Sequence, residues 1–175
     1  MTKQKIMMAL IAVFLAVVVN FESDVMAANI SSDADVKNVE TQLVNKVLDE
    51  FHVAASKADG ATYFSLFAPE GVFIGTDAGE RWTVSQFRLY AEPHFKKGKG
   101  WTYKSKVRHV DFAPGSDVAW IDEILDSKSY GTSRGTGVLR KIKGDWRISQ
   151  YHLTFPIPNA LADKFTKEIR NVEHP

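Results

Sequence analysis

The stretch VAWIDEILDSKSYGTSRGTGVLRKIKGDWRISQYHLTF, residues 118–155, decides the fold of this chain. Two pairs of turn-forming residues, Tyr130-Gly131 and Gly144-Asp145, divide it into three long runs. The runs predict strands at Val118–Ser127, Thr132–Ile142 and Trp146–Phe155. Because the links between these strands are short, we expect them to pair as an antiparallel meander.

The residues on either side of this stretch predict one more long strand and several helices. Apolar residues at helical spacing predict a first long helix over about residues 33–57. Asp59 can cap a short second helix, and Thr83 with Gln86 forms a capping box that opens a third. The remaining predicted elements are a short strand at Val72–Thr76, a long strand at Trp101–Phe112 and a final helix from Asn159. This order predicts an α+β domain whose helices cover one face of a curved sheet.

The N-terminal residues have the layout of a secretory signal peptide. Lys3 and Lys5 precede a continuous apolar run, residues 6–19, and small residues follow around Ala27. The run is shorter than the roughly 20 residues that a membrane-spanning helix needs. We expect cleavage after Ala27, which leaves residues 28–175 as a single exported domain, periplasmic or secreted, with no stable membrane insertion. An uncleaved membrane anchor is the alternative interpretation.

Charge and composition exclude several classes of function. The formal net charge is +1, and removal of residues 1–27 leaves it unchanged, which argues against a nucleic-acid-binding protein. The chain has no cysteine, so a disulfide framework is excluded. Its five histidines show no paired spacing such as HxH or HxxxH, and neither a G-x-S-x-G elbow nor a dinucleotide-binding motif occurs. We therefore expect neither a metal site nor a cofactor.

Three segments carry a resemblance to a known family. They are VFIGTDAGERWT at residues 72–83, VAWIDEILD at residues 118–126 and GDWRISQYHLTFPIPN at residues 144–159. With the order of elements, they resemble the SnoaL-like branch of the nuclear transport factor 2-like superfamily, from about Val36 to Asn159. The resemblance implies a cone-shaped, curved antiparallel sheet covered by N-terminal helices, with polar residues lining the mouth of the cone. It does not imply one activity, because this superfamily hosts many.

Strand alternation suggests which side chains meet inside such a cone. On the last strand Trp146, Ile148, Gln150 and His152 share one face if the alternation is regular. On the second long strand either Asp122 or Glu123 points inward, and we favour Glu123. The candidate site is a rim facing a group from the sheet. The rim consists of Asp77, Glu80, Arg81 and Trp82, and the sheet residues are Glu123, Arg134, Gln150 and His152.

Three functions fit this cluster. The favoured one is binding of a small, largely apolar molecule in the cone. The second is a cofactor-independent isomerase, cyclase or dehydratase in which Glu123, or less readily Asp77, moves a proton while His152 or Tyr103 stabilises an oxyanion. The third is a dimeric assembly module that uses the outer sheet face. The proposed contacts of that face are Arg147, Tyr151 and Leu153. A structural salt bridge of Arg81 with a nearby carboxylate is the alternative explanation of the cluster.

Overall fold

The computed structural model describes residues 33–115 and 117–173. The predicted signal peptide therefore lies outside the described residues. The chain divides into two compact units, residues 1–42 and residues 43–175. In the first unit the described residues, 33–42, are helical. Within the described ranges, no helix has the length and apolar character needed to cross a membrane.

Among its described residues, the second unit contains four helices and six strands. The helices and the five longer strands follow the predicted order, which confirms the α+β class. Residues 43–56 form helix α1, and the other helices are α2 (Gly60–Ser65), α3 (Val84–Phe95) and α4 (Ala162–Glu173), the last preceded by a 3₁₀ turn at Asn159–Leu161. The strands are β1 (Phe67–Ile74), β2 (Arg81–Thr83), β3 (Lys104–Phe112), β4 (Val118–Ser127), β5 (Gly131–Ile142) and β6 (Asp145–Thr154).

The six strands form one sheet in the order β2-β1-β6-β5-β4-β3. Strands β3 to β6 pair as the predicted antiparallel meander. The sheet is not antiparallel throughout, because β1 lies parallel to β6. A parallel neighbour needs a long connection, and here α3 and four strands separate β1 from β6 in the chain. The short strand β2 was not predicted; it pairs with β1 and turns the segment between them into a hairpin.

A β-bulge in β6 changes which of its side chains point inward. Ser149 has no partner in the register between β5 and β6, so the alternation shifts by one residue there. Ile148 is buried before the bulge and Tyr151 after it. Gln150 and His152 therefore lie on the face opposite Ile148, and the prediction that these three residues share a face was wrong.

The bulge also corrects the predicted outer face of the sheet. Tyr151 is buried in the core, and Leu153 packs against that core. Arg147 donates a hydrogen bond from Nη1 to the carbonyl oxygen of Ser65, at 2.6 Å. Tyr151 and Leu153 therefore point inward instead of to an outer contact, whereas Arg147, which precedes the bulge, stays about one third exposed.

The core lies between the inner sheet face and helices α1, α2 and α3, and it is largely aromatic. Phe51 of α1 stacks on Tyr63 of α2 with ring centroids 4.6 Å apart, and Phe87 of α3 stacks on Phe73 of β1 at 4.0 Å. Such pairs stabilise beyond their buried area by roughly 0.5–1.5 kcal/mol each. Helix α3 begins with the predicted capping box at Thr83.

Candidate functional site

Glu123 lies in the middle of β4 and is completely buried, with 0% of its surface exposed. Its neighbour Asp122 is exposed on the other face of the strand. The structure thus decides between the two carboxylates, and the favoured one points inward. Ile121 and Leu125, two positions away on either side, are also buried, as regular alternation requires.

Three side chains from three elements surround the Glu123 carboxylate. Nε2 of His52, on α1, lies 2.8 Å from Oε1, and the Tyr151 hydroxyl donates to the same oxygen at 2.8 Å. Arg108 of β3 donates from Nε to Oε2 at 2.9 Å. We call these four residues the buried network. A carboxylate with this many charge-assisted partners is strongly held.

The buried network keeps Glu123 ionised. Burial raises the pKa of Glu123, but the hydrogen bond and charge of His52, the charge of Arg108 and the hydrogen bond from Tyr151 outweigh it and lower the pKa to about 2. Such a carboxylate is a poor base near neutral pH. An ionised carboxylate can only accept hydrogen bonds, so Nε2 of His52 carries a hydrogen and Nδ1 is the ring nitrogen able to take a proton.

Arg108 connects the network to helix α1. Its Nη1 donates to Oδ1 of Asp49 at 2.9 Å and to Oδ1 of Asn45 at 3.1 Å. Its side chain is only 8% exposed. Arg108 lies directly opposite Glu123 in the register of β3 and β4, so both side chains point to the same face.

A cavity of about 370 Å³ opens beside this network. Eight of its lining residues are aromatic. Phe73, Trp82, Phe87 and Tyr90 come from β1, β2 and α3, whereas Trp101, Tyr103, Tyr130 and Phe155 come from the loops and strand ends of the meander. The first four form a stack, in which Trp82 is 5.5 Å from Phe87 and 5.0 Å from Tyr90 between ring centroids.

A second, much smaller cavity of about 10 Å³ lies between the aromatic cavity and the buried network. Its walls include His52 and Tyr151 from the network. It shares four wall residues with the larger cavity. They are Phe73, Trp101, Tyr103 and Leu153. His52 therefore lies one layer of side chains behind the floor of the aromatic cavity.

The loop between β1 and β2 places one carboxylate in the cavity wall. Gly75 donates its amide to the carbonyl of Glu80 at 2.8 Å, and the amide of Asp77 donates to Oε2 of Glu80 at 3.2 Å. Asp77 in turn accepts from the amide of Gly79 at 2.8 Å. A Cβ on Gly75 would lie 2.1 Å from Oε2 of Glu80, so the glycine leaves the room that this carboxylate occupies. Glu80 lines the cavity, whereas Asp77 is exposed outside its wall.

The predicted site residues divide into two groups. Glu80, Trp82 and Tyr103 line the cavity, and Glu123 lies in the network behind it. The other predicted site residues point away from the cavity. They are the exposed loop residues Asp77 and Arg81 and the outer-face residues Arg134, Gln150 and His152. For Gln150 and His152 the reason is the bulge in β6, and for Arg134 it is the register, since Gly135 is the residue opposite Glu123.

Sequence reasoning missed His52 and Arg108, although both carry a signal. His52 follows Leu48 by one helical turn and so continues the buried stripe of α1. Arg108 has the same parity on β3 as Val110 and Phe112, which pack against the core. A polar residue on an apolar stripe indicates a buried partner, but only the fold identifies that partner.

Tyr103 is a hydrogen-bond donor in the cavity wall. Burial, followed by the nearby Tyr130, raises the pKa of Tyr103 to about 12. Its hydroxyl therefore stays protonated near neutral pH. It can donate a hydrogen bond to an oxygen of a bound molecule.

The curved sheet, its helical cover and the cavity between them define a nuclear transport factor 2-like fold. An NTF2-like protein of unknown function from Pseudomonas putida KT2440 superposes with a TM-score of 0.58 and 16% identity over 70% of this chain and 90% of that chain. Residues 44–158 match the family model of the SnoaL-like domain, and the chain belongs to this family. Both the fold and the family expected from the sequence are confirmed.

Two further structures are similar to this chain. A candidate scytalone dehydratase from Novosphingobium aromaticivorans DSM 12444 has a TM-score of 0.61 and 11% identity, over 71% of this chain and 89% of that chain. A candidate dehydratase of the NTF2-like family from Streptomyces avermitilis has a TM-score of 0.58 and 15% identity, over 70% and 99%. At these identities the likeness concerns the fold alone. No curated protein matches the sequence.

Proposed function

We propose that this chain is an exported SnoaL-like protein that binds a small, largely apolar molecule in the aromatic cavity. The observation that carries the proposal is the cavity itself, with about 370 Å³ of space and eight aromatic residues in its wall. Cavities of this size and lining are the usual sites for small ligands. Aromatic rings supply apolar contact area with little loss of side-chain freedom, while Tyr103 and Glu80 can orient a polar group.

The test is native mass spectrometry of the protein purified from the cell fraction in which it accumulates, followed by mild denaturation to release a bound molecule. We expect a retained small molecule, and we expect Tyr130→Ala to lose it. Tyr130 lines the cavity but is 63% exposed, so its truncation should leave the fold intact. The matched control is Leu89→Ala, an exposed apolar residue of α3 that does not line the cavity.

Two results would contradict binding. One is a protein that carries no molecule and gains no thermal stability from a panel of aromatic compounds. The other is a retained molecule that Tyr130→Ala and Leu89→Ala release equally. A ligand specific for the folded protein must raise its melting temperature, which makes the first result decisive.

The proposal that the protein is exported is based on residues 1–27 of the sequence, and the mass of the same purified protein tests this proposal. The mature chain should begin at Ala28 and lack the mass of residues 1–27. An intact chain that still begins at Met1 and stays in the cytoplasmic fraction would contradict this part of the proposal.

A second candidate function is proton transfer by His52, and the geometry of the buried network favours it. Glu123 would hold the imidazole through Nε2 and balance the charge of the imidazolium that forms when Nδ1 takes a proton from a substrate carbon. This reaction requires a substrate that extends past the cavity floor into the small cavity, whose wall includes His52. The hydroxyl of Tyr103 would donate to the oxygen on which negative charge develops. The reaction class is a cofactor-independent isomerisation, cyclisation or dehydration. Two proteins of similar fold are described as candidate dehydratases, which agrees with this class.

Deuterium incorporation tests this candidate without a known product. The released molecule is returned to the protein in D₂O, and exchange at an acidic C–H is followed by NMR. We expect exchange with the wild type, loss of exchange with His52→Gln and full exchange with His109→Gln, an exposed histidine on the outer sheet face. Exchange that survives in His52→Gln would exclude this residue as the base.

Dimerisation through the outer sheet face is a third proposal. Val107 and Trp120 are 49% and 48% exposed there, and Ile124 lies opposite Val107 in the register. A second copy would cover this apolar surface. Trp120→Glu should then give a monomer in sedimentation experiments, whereas Leu89→Glu on α3 should not. A Trp120→Glu variant that stays dimeric would contradict the proposal.

A further inference from the structure

The polar and aromatic groups of the cavity wall select ligands by charge. Glu80 is the charged residue of the wall, and no lysine, arginine or histidine lines the cavity among the described residues. The remaining polar side chains are hydroxyls of Thr76 and of three tyrosines. An anion would meet a carboxylate and no compensating positive charge. The wall therefore favours a neutral or a positively charged ligand.

The aromatic composition of the wall extends this preference to cations. The faces of indole and phenol rings carry negative partial charge and attract ammonium groups, most strongly where water is excluded. Two indoles, Trp82 and Trp101, and three phenols, Tyr90, Tyr103 and Tyr130, line the same cavity as Glu80. Rings grouped around one carboxylate are the usual recognition chemistry for substituted ammonium ions.

The structure also holds Glu80 in place for this role. Its Oε2 accepts the amide of Asp77, and the room left by Gly75 lets the side chain lie along the hairpin. Within the described ranges, no salt bridge neutralises Glu80. Its charge is therefore available to a ligand. The cavity thus combines an anionic group of defined position with a large aromatic surface.

We infer that the ligand of this cavity is an organic cation, a substituted ammonium group joined to an aromatic or aliphatic body. The inference rests on the proposed binding function and specifies the ligand class. The ammonium group lies near Glu80 and the adjacent ring of Trp82, while the apolar body lies toward Tyr103. The buried network is not part of this contact, since His52 lies behind the cavity floor.

Three probes of nearly equal shape separate charge from size. They are (4-hydroxybenzyl)trimethylammonium, its neutral carbon isostere 4-neopentylphenol and the anion 4-hydroxybenzylsulfonate. Each is titrated into the full chain by isothermal calorimetry at low salt. We expect the cation to bind about fivefold or more tightly than the neutral isostere, and the anion to bind most weakly.

Two variants test whether the charge of Glu80 causes the preference for the cation. Glu80→Gln keeps an oxygen for the amide of Asp77 but removes the charge. It should therefore weaken binding of the cation by about fivefold or more and leave binding of the neutral isostere unchanged. Asp77→Asn removes a charge from the same loop outside the cavity wall and keeps its oxygen for Gly79. It should change neither affinity by more than about twofold, because a more distant, exposed charge is screened.

The outcomes distinguish this inference from the proposed function. If the neutral isostere binds as tightly as the cation, or if Glu80→Gln and Asp77→Asn act alike, the cation inference is overturned and the binding function stands. If none of the three probes binds, the cation inference is overturned, while the binding function is decided separately by whether the purified protein retains a small molecule. A cation preference that depends on Glu80 alone supports both.

Discussion

Replacement of Glu123 by Gln should destabilise the protein strongly, because the carboxylate is completely buried and holds three partners. The pKa of Glu123 falls from an ordinary 4.5 to about 2 in the folded protein. A shift of this size corresponds to about 3 kcal/mol of unfolding free energy at neutral pH. The Gln amide would also present a donor to the donors of His52, Tyr151 or Arg108. A loss of about 3 kcal/mol is thus the expected result.

Urea unfolding of the full chain at pH 7 measures this loss. The matched control is Asp122→Asn, the same chemical change one residue away on the exposed face of β4, for which we expect a change within about 0.5 kcal/mol. By thermal melting, about 3 kcal/mol corresponds to roughly 6–12 °C in a domain of this size.

The pH dependence gives a second, independent check. A carboxyl group whose pKa is lowered by folding stabilises the protein above its unfolded pKa, and this stability is lost as the pH falls toward the folded pKa. For Glu123 the difference between wild type and Glu123→Gln should therefore be full above about pH 4.5 and shrink between pH 4.5 and pH 2. Destabilisation of less than about 1 kcal/mol at pH 7, or a difference that does not shrink in acid, would refute the reasoning.

Two further predictions concern backbone and capping positions. In Gly135→Ala the new Cβ would lie 2.1 Å from the Tyr151 hydroxyl, which must move and break its hydrogen bond to the Glu123 carboxylate. We expect the free energy of unfolding in urea to fall by roughly 1–3 kcal/mol. The control Gly79→Ala, whose Cβ meets nothing closer than 3.3 Å, should change it little. An equally stable Gly135→Ala variant would show that the ring has another position. Thr83→Ala removes the side-chain cap that accepts the amide of Gln86 at the start of α3, with an expected loss of about 1 kcal/mol. Unchanged urea unfolding of Thr83→Ala would indicate that solvent satisfies this amide equally well.

The sequence was informative wherever a signal is local. Turn pairs at Tyr130-Gly131 and Gly144-Asp145 divide the meander correctly, because backbone conformations at turns restrict residue type. The capping box at Thr83 likewise identifies the start of α3, since both of its hydrogen bonds form within one helical turn. Alternation along β4 limited the inward carboxylate to Asp122 or Glu123, and the favoured residue, Glu123, is the buried one.

The candidate site depended on contacts between residues distant in the chain, and here sequence reasoning was partly wrong. His152 was selected as the histidine beside Glu123, but the bulge at Ser149 turns it to the outer face. His52, 71 positions before Glu123, takes that place instead. The bulge leaves no distinct local pattern, because its extra residue is an ordinary serine in a run of strand-forming residues.

By itself, the sequence determined the α+β class, the order of its helices and long strands, and the resemblance to the SnoaL-like family, since these depend on short-range periodicity, turns and caps. Only the tertiary structure decided that Glu123 is held by His52, Arg108 and Tyr151, and that Glu80 faces an aromatic cavity. The physical reason is register. A shift of one residue in a strand exchanges its two faces, and pairing between distant segments sets that shift.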